Sequence, residues 1–205
     1  MRPDYWDDAI LSLTQRDPVL NGLIQTHPGI TLESRGDAFA TLARSIVGQQ
    51  ISVKAAQSVW QKLMAHIQEA TPAAIHQAEP EGLRGCGLSG RKVEYLQDLA
   101  RKFMCGELDA THWQTLDDES LIKDLVKVKG IGRWTAEMFL IFHLMRPDVL
   151  PLDDIGLQRA MGRLYNQNQP LSKPDMQKIA CNWQPWRSVA TWYLWRSLDP
   201  VPVAY

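Results

Sequence analysis

Val128-Lys129-Gly130-Ile131-Gly132-Arg133-Trp134-Thr135-Ala136 joins two helical patterns of different character. Upstream, Asp117-Asp118-Glu119 places acidic groups at a helix start, and Leu121, Ile122, Leu125 and Val126 supply an apolar face. Lys123 and Lys127 sit toward the negative end of that helix's dipole. Downstream, nearly every position from Trp134 to Leu144 is apolar, the pattern of a central helix buried on all sides. Two glycines around one aliphatic residue let the chain turn sharply and leave amides at the next helix N-terminus uncovered by side chains. Such amides attract phosphate, by hydrogen bonding and by the helix dipole. An ordinary interhelical turn has the same local composition, so the sequel matters. It is Arg146-Pro147-Asp148-Val149-Leu150-Pro151-Leu152-Asp153-Asp154-Ile155-Gly156-Leu157, a proline-containing loop ending in two acids that lead into another helix.

Working outward, the periodicity is helical nearly throughout. Phe39, Leu42, Ala43, Ile46 and Val47 form one stripe, Val93, Leu96, Leu99 or Ala100, and Phe103 a second, and Leu157, Ala160, Met161 and Leu164 a third. A fourth runs through Trp186, Val189, Ala190, Tyr193 and Leu194. With no run of strand-type alternation, the pattern predicts an all-α fold of about ten helices with short connections. The 205 residues are 45% hydrophobic and 22% charged, which excludes a disordered chain and supplies one domain or two small interlocked ones. A formal charge of −1 announces no nucleic-acid partner, so any phosphate-binding face must be built locally. Cys86, Cys105 and Cys181 give neither a disulfide framework nor a clustered thiolate site, and the five histidines show no metal-ligand spacing. No apolar run is long enough for a bilayer and Met1-Arg2-Pro3-Asp4 is not a signal-peptide start, so a reducing cytosol is expected, without membrane association. Of the eight tryptophans, five lie after residue 130; such rings fill cores or line aromatic pockets.

Taken as a set, the Gly-Ile-Gly hairpin followed by Leu150-Pro151-Leu152-Asp153-Asp154 resembles the helix-hairpin-helix (HhH-GPD) DNA glycosylases. Arg44-Ser45-Ile46-Val47-Gly48-Gln49-Gln50-Ile51-Ser52-Val53-Lys54-Ala55-Ala56, Gly87-Leu88-Ser89-Gly90-Arg91-Lys92 and Trp183-Gln184-Pro185-Trp186-Arg187-Ser188-Val189-Ala190 narrow the resemblance to the alkylpurine branch, 3-methyladenine DNA glycosylase II, in its shorter all-helical form. The resemblance implies two helical lobes, residues 36–144 and residues 1–35 with 145–205, and an active site in the cleft between them. Asp154 takes the place of the catalytic carboxylate, and Asp153 is expected to cap the following helix. Gln50 occupies the position of the side chain that fills the gap left by an extruded base. At 100° per residue Trp195 falls opposite the core stripe of its helix, and it matches a base-pocket aromatic. Trp134 and Met138 would line the same pocket, Met138 replacing the tyrosine of larger relatives; for Trp134, Trp183 and Trp186 a place in the core is an equal reading. Lys129, Gly130, Ile131, Gly132, Arg133 and Thr135 are the expected DNA-binding hairpin, with Lys127 and Lys54 as further phosphate contacts.

Trp134 stands where bifunctional relatives carry a Schiff-base lysine, which implies a hydrolase without lyase activity. No cofactor is required; a monovalent cation, sodium or potassium, on the backbone carbonyls of Val126, Val128 and Ile131 is implied by the resemblance. The expected activity is excision of N-alkylated purines such as 3-methyladenine and 7-methylguanine from double-stranded DNA, by a monomer in the bacterial cytosol or eukaryotic nucleus. A glycosylase for another damaged or mismatched base, and a non-catalytic helix-hairpin-helix DNA-binding protein, are the alternatives.

Overall fold

The computed structural model describes residues 2–34 and 37–198, which contain α-helices and no strand. In chain order the helices are α1 (Trp6–Arg16), α2 (Pro18–Thr26), α3 (Ala38–Gly48), α4 (Val53–Ile67), α5 (Pro72–Gln77), α6 (Pro80–Gly85), α7 (Gly90–Met104), α8 (Asp118–Leu125), α9 (Arg133–Phe142), α10 (Ile155–Tyr165), α11 (Lys173–Ala180) and α12 (Arg187–Arg196). The all-α expectation holds. More helices form than the apolar stripes suggest, because Pro18, Pro72 and Pro80 restart the helix after one, four and two residues. Side chains of Asp17, Asp37, Ser52, Thr71, Ser89, Asp117 and Ser172 accept hydrogen bonds from amides at the starts of α2, α3, α4, α5, α7, α8 and α11, satisfying donors that a helix cannot pair internally.

Two units make up the chain: among the described residues, 37–139 form one, and 2–34 with 140–198 the other. The expected boundary at residues 35–36 lies outside the described residues, and the second division falls inside α9, between Phe139 and Leu140.

In the unit 37–139, α3 packs on α7 through the two stripes read from the sequence, Phe39, Leu42, Ala43, Ile46 and Val47 against Val93, Leu96, Leu99 and Ala100, all buried. An edge-to-face chain of rings continues from there, Phe39 to Phe103 at 5.3 Å, Phe103 to Trp113 at 5.8 Å and Trp113 to Phe139 at 5.4 Å. Each pair adds about 0.5–1.5 kcal/mol beyond the area it buries. Phe139 carries this packing into α9, whose residues 135–141 are all buried. The expectation of a helix buried on every side from Trp134 to Leu144 is corrected at both ends. Trp134 is 38% exposed, and the helix stops at Phe142 with His143 and Leu144 half-buried.

In the other unit, α12 packs on α1, α2 and α10. Buried Asp17 ties α2 to the end of α10 and to the short 3-10 turn Cys181–Trp183. Its Oδ1 accepts from the amides of Val19 (2.9 Å) and Leu20 (3.1 Å), its Oδ2 from Tyr165 Oη and Trp183 Nε1, both at 2.8 Å. A carboxylate survives burial when its oxygens are bonded in this way. The start of α12 is stitched to the loop after α9. Asp148 accepts two bonds from the Arg187 guanidinium (2.7 and 2.9 Å), Val149 N–H donates to Ser188 Oγ at 2.9 Å, and Ser188 N–H donates to the Pro147 carbonyl at 3.0 Å. This fixes the loop that leads to the paired acids.

Candidate functional site

The acids at the start of α10 have different fates. Asp154 N–H donates to the Pro151 carbonyl at 3.0 Å and the Asp154 carbonyl accepts the first helical bond, from Gln158, at 3.0 Å. Asp154 is therefore the capping residue, and its Oδ1 accepts from the amide of Leu157 at 2.6 Å. This corrects the expectation that Asp153 caps the helix: the turn closed by Pro151 puts Asp154 immediately before Ile155, and Asp153 instead makes an exposed ion pair with Lys173. The carboxylate of Asp154 is still more than a cap. It is 8% exposed, and the same Oδ1 accepts a second bond, from Trp195 Nε1, at 2.8 Å. The indole of Trp195 is half-buried, stacked on Phe142 with centroids 5.6 Å apart and planes 12° from parallel. Trp195 spends its one donor on the carboxylate. The expected core stripe of α12 with Trp195 opposite it is corrected: the helix is buried nearly all round, with Ser188, Thr191 and Trp192 on the face of Trp195 buried too.

Gly156 makes this contact possible, which no sequence pattern announced. A Cβ there would lie 3.0 Å from Asp154 Oδ1 and 3.1 Å from Trp195 Cδ1, closer than side-chain atoms normally approach. Trp195, Phe142 and Asp154 come from three separate segments, so their meeting has no local signal.

In the unit 37–139, α8 and α9 enclose the hairpin. Gly130 has φ +80°, and a Cβ on it would lie 2.1 Å from the ring of Tyr95 on α7, so backbone and packing both demand glycine. Gly132 is different: an added Cβ meets nothing within 4 Å. Of the six expected hairpin residues, Lys129, Gly130, Gly132 and Arg133 are exposed, whereas Ile131 and Thr135 are buried. The amide of Lys129 donates to Asp98 Oδ2 at 2.9 Å, and its ammonium pairs with Glu94. Arg133 donates to Glu137 Oε1 at 2.9 Å and forks onto both oxygens of Glu119. These bonds raise the pKa of Lys129, chiefly through Glu94, and that of Arg133, chiefly through Glu119, while Arg133 draws Glu119 below the usual carboxylate range. The Lys129–Glu94 and Arg133–Glu119 pairs are about half exposed to solvent, and Arg133 is held by a two-point fork on Glu119 with a further bond to the buried Glu137. The acidic partners of Lys129 were invisible in sequence, since Glu94 and Asp98 come from a different helix, whereas Glu137 lies one turn from Arg133 on the same helix.

The carbonyls of Val126, Val128 and Ile131 belong to this same turn. Val126 is the C-cap of α8, at the negative end of its dipole, and the Val128 carbonyl accepts from Ile131 N–H at 3.1 Å. Neutral oxygens at a helix C-terminus are a donor set that fits an alkali cation. Trp134 and Met138 are one turn apart on one face of α9, the former exposed and the latter 5% exposed. Gln50 is exposed with φ 58°, and Gln49 Nε2 donates to the Gly130 carbonyl at 2.7 Å. Lys127 pairs with Asp124, and Lys54 is exposed on α4. Among the described residues no three His, Cys, Asp or Glu side chains are grouped to hold a metal, all three cysteines are free, and no helix is long and apolar enough to cross a membrane.

In the chain, a glycine hairpin with its cations at the surface is followed by a carboxylate cap bonded to an indole. The chain belongs to the HhH-GPD superfamily of base excision DNA repair proteins, whose signature matches residues 43–185. Within it, the chain is 31% identical over 206 residues to DNA-3-methyladenine glycosylase 1 of Schizosaccharomyces pombe, covering 93% of this chain and 90% of that protein. The crystal structure of a DNA-3-methyladenine glycosidase from Bacillus halodurans has a TM-score of 0.86 to it at 33% identity, covering 93% of this chain and 89% of that one. The Schizosaccharomyces pombe 3-methyladenine DNA glycosylase in complex with abasic DNA has a TM-score of 0.80 at 29% identity, covering 96% and 100%. Two similar proteins of Bacillus subtilis are longer, and the chain spans 66% and 65% of their lengths.

Proposed function

We propose that this protein is a monofunctional DNA glycosylase that excises N-alkylated purines, 3-methyladenine and 7-methylguanine among them, from double-stranded DNA in base excision repair. The observation that carries the reading is the carboxylate of Asp154, 8% exposed and oriented by the indole of Trp195. As the bond between purine and deoxyribose breaks, positive charge develops on the sugar, and a fixed carboxylate in a partly dry setting stabilises it. Water adds to the sugar carbon; its hydroxyl stays there and its proton is released, with the carboxylate placed to orient the water. The electron pair of the broken bond goes to the base, which leaves neutral because alkylation had made it a cation. That charge also favours aromatic faces, the role given to Trp195 and Trp134, with Met138 beside Trp134.

A base inside a duplex is beyond reach, so the nucleotide is extruded, at a cost of a few kcal/mol, with Gln50 filling the gap. The hairpin holds the backbone through its amides, Lys129 and Arg133, both cations lying at the surface in half-exposed ion pairs. A monovalent cation on the carbonyls of Val126, Val128 and Ile131 would brace that turn; the reaction itself needs no cofactor. Trp134, following Arg133, offers no amine for a Schiff base, which supports hydrolysis without strand cleavage. The protein acts as a monomer on chromosomal DNA, in the cytosol of a bacterium or the nucleus of a eukaryote. The test is incubation with methylated duplex DNA and chromatography of the released bases. Intact free 3-methyladenine, with strands that break only after alkali, is expected; absence of any free base, or breakage without alkali, would refute the corresponding part of the reading.

A further inference from the structure

The paired glutamines after α3 divide between two directions. Gln49 caps α3, its N–H donating to the Ile46 carbonyl at 3.3 Å, and its half-buried side chain reaches across the surface to the exposed Gly130 carbonyl at 2.7 Å. Gln50 turns outward in the left-handed region at φ 58°. A non-glycine residue holds that conformation only where its surroundings determine it. At the other end of the bond, Gly130 is itself left-handed and rests on Tyr95. One helix supports both turns from below: Lys92 of α7 donates to the Val47 carbonyl at 2.7 Å, and Asp98 of α7 accepts from Lys129 N–H at 2.9 Å. Burial of Lys92 lowers its pKa.

We propose that Gln49 is a positioning residue that locks the Gln50 turn to the hairpin, so that the segment pushing on the base stack and the segment holding the phosphates behave as one rigid piece while the lesion is extruded. The inference rests on the glycosylase reading and adds a residue to it. A wedge delivers force to a stacked base only if the part of the protein gripping the backbone resists recoil. With the bond in place, the strain of unstacking is borne by the turn, the hairpin and α7 together. Without it, the Gln50 turn is held only by the ends of α3 and α4 and by the bond from Lys92 to the Val47 carbonyl, and part of the unstacking strain relaxes into the protein.

Two variants, Gln49→Ala and Gln49→Glu, remove the donor, the second with little change of shape. Hydrogen–deuterium exchange of the free protein is expected to rise across the hairpin peptide spanning residues 126–134 in both. Single-turnover excision of 7-methylguanine paired with cytosine is expected to slow about three- to tenfold, the range that a net hydrogen bond of about 0.5–1.5 kcal/mol allows. With the same lesion opposite an abasic-site analogue, where no base pair has to be broken and less work is asked of the wedge, the loss should stay below about twofold. Equal losses on the two substrates, no loss on either, or unchanged hairpin exchange would overturn the proposal. A wild-type protein inactive on both substrates would instead overturn the glycosylase reading, and the exchange measurement would still decide whether the lock exists.

Discussion

Asp154→Asn separates the two duties of the buried carboxylate. Asparagine caps helices about as well as aspartate, so the bond from the Leu157 amide at 2.6 Å survives in kind, and the side-chain carbonyl still accepts from Trp195 Nε1. What disappears is the charge. Bonds to a charged acceptor contribute about 1.5–3 kcal/mol against about 0.5–1.5 for neutral ones, so two such bonds weaken by about 2 kcal/mol together. Removing an ion from a site only 8% exposed offsets part of that loss, so the variant should fold with a stability deficit below about 2 kcal/mol. The chemistry is affected far more. Losing a preorganised electrostatic partner of a transition-state charge costs about 2.7–4 kcal/mol, a factor of about a hundred to a thousand in rate. Denaturant unfolding, fluorescence anisotropy with abasic DNA, and single-turnover release of 7-methylguanine measure the three quantities separately. Excision reduced at least about a hundredfold, with DNA affinity kept, is the expected result. A variant that excises within threefold of wild type, even if less stable, would show that the carboxylate caps α10 and does nothing else.

At the hairpin, Gly130→Ala forces a left-handed alanine into the Tyr95 ring and should lower stability by about 1–3 kcal/mol while weakening DNA binding. Gly132→Ala, whose methyl meets open space, should stay within about 0.5 kcal/mol in the same denaturation assay. Asp17→Ala strands the Tyr165 hydroxyl, the Trp183 indole N–H and two helix amides, and is expected to cost about 3 kcal/mol or more, read as a shift in the urea midpoint. Gly156→Ala presses a methyl between Asp154 Oδ1 and Trp195 Cδ1, so excision should fall about tenfold with stability changed by less than about 1 kcal/mol. An unchanged excision rate would mean that the indole does not set the carboxylate.

Periodic and local features of the chain were readable directly. The stripe from Phe39 to Val47, the acidic start of α8 and the glycine turn before α9 depend on neighbours within one or two helical turns, so residue order determines them. The pairing of hairpin and acid loop was likewise carried by order alone, and it led to the family. Residue order pointed to Asp154 as the functional acid, but only the tertiary structure showed that the same carboxylate also caps α10 and takes a bond from an indole 41 residues away. The same holds for the partners of Lys129, for the contact of Gly156 with Trp195, and for the bond from Gln49 to Gly130. Each joins segments distant in the chain, and side chains distant in sequence leave no mark on local composition or period. Helices follow from short-range backbone and apolar spacing, whereas the geometry of a charge in a dry site follows from long-range packing.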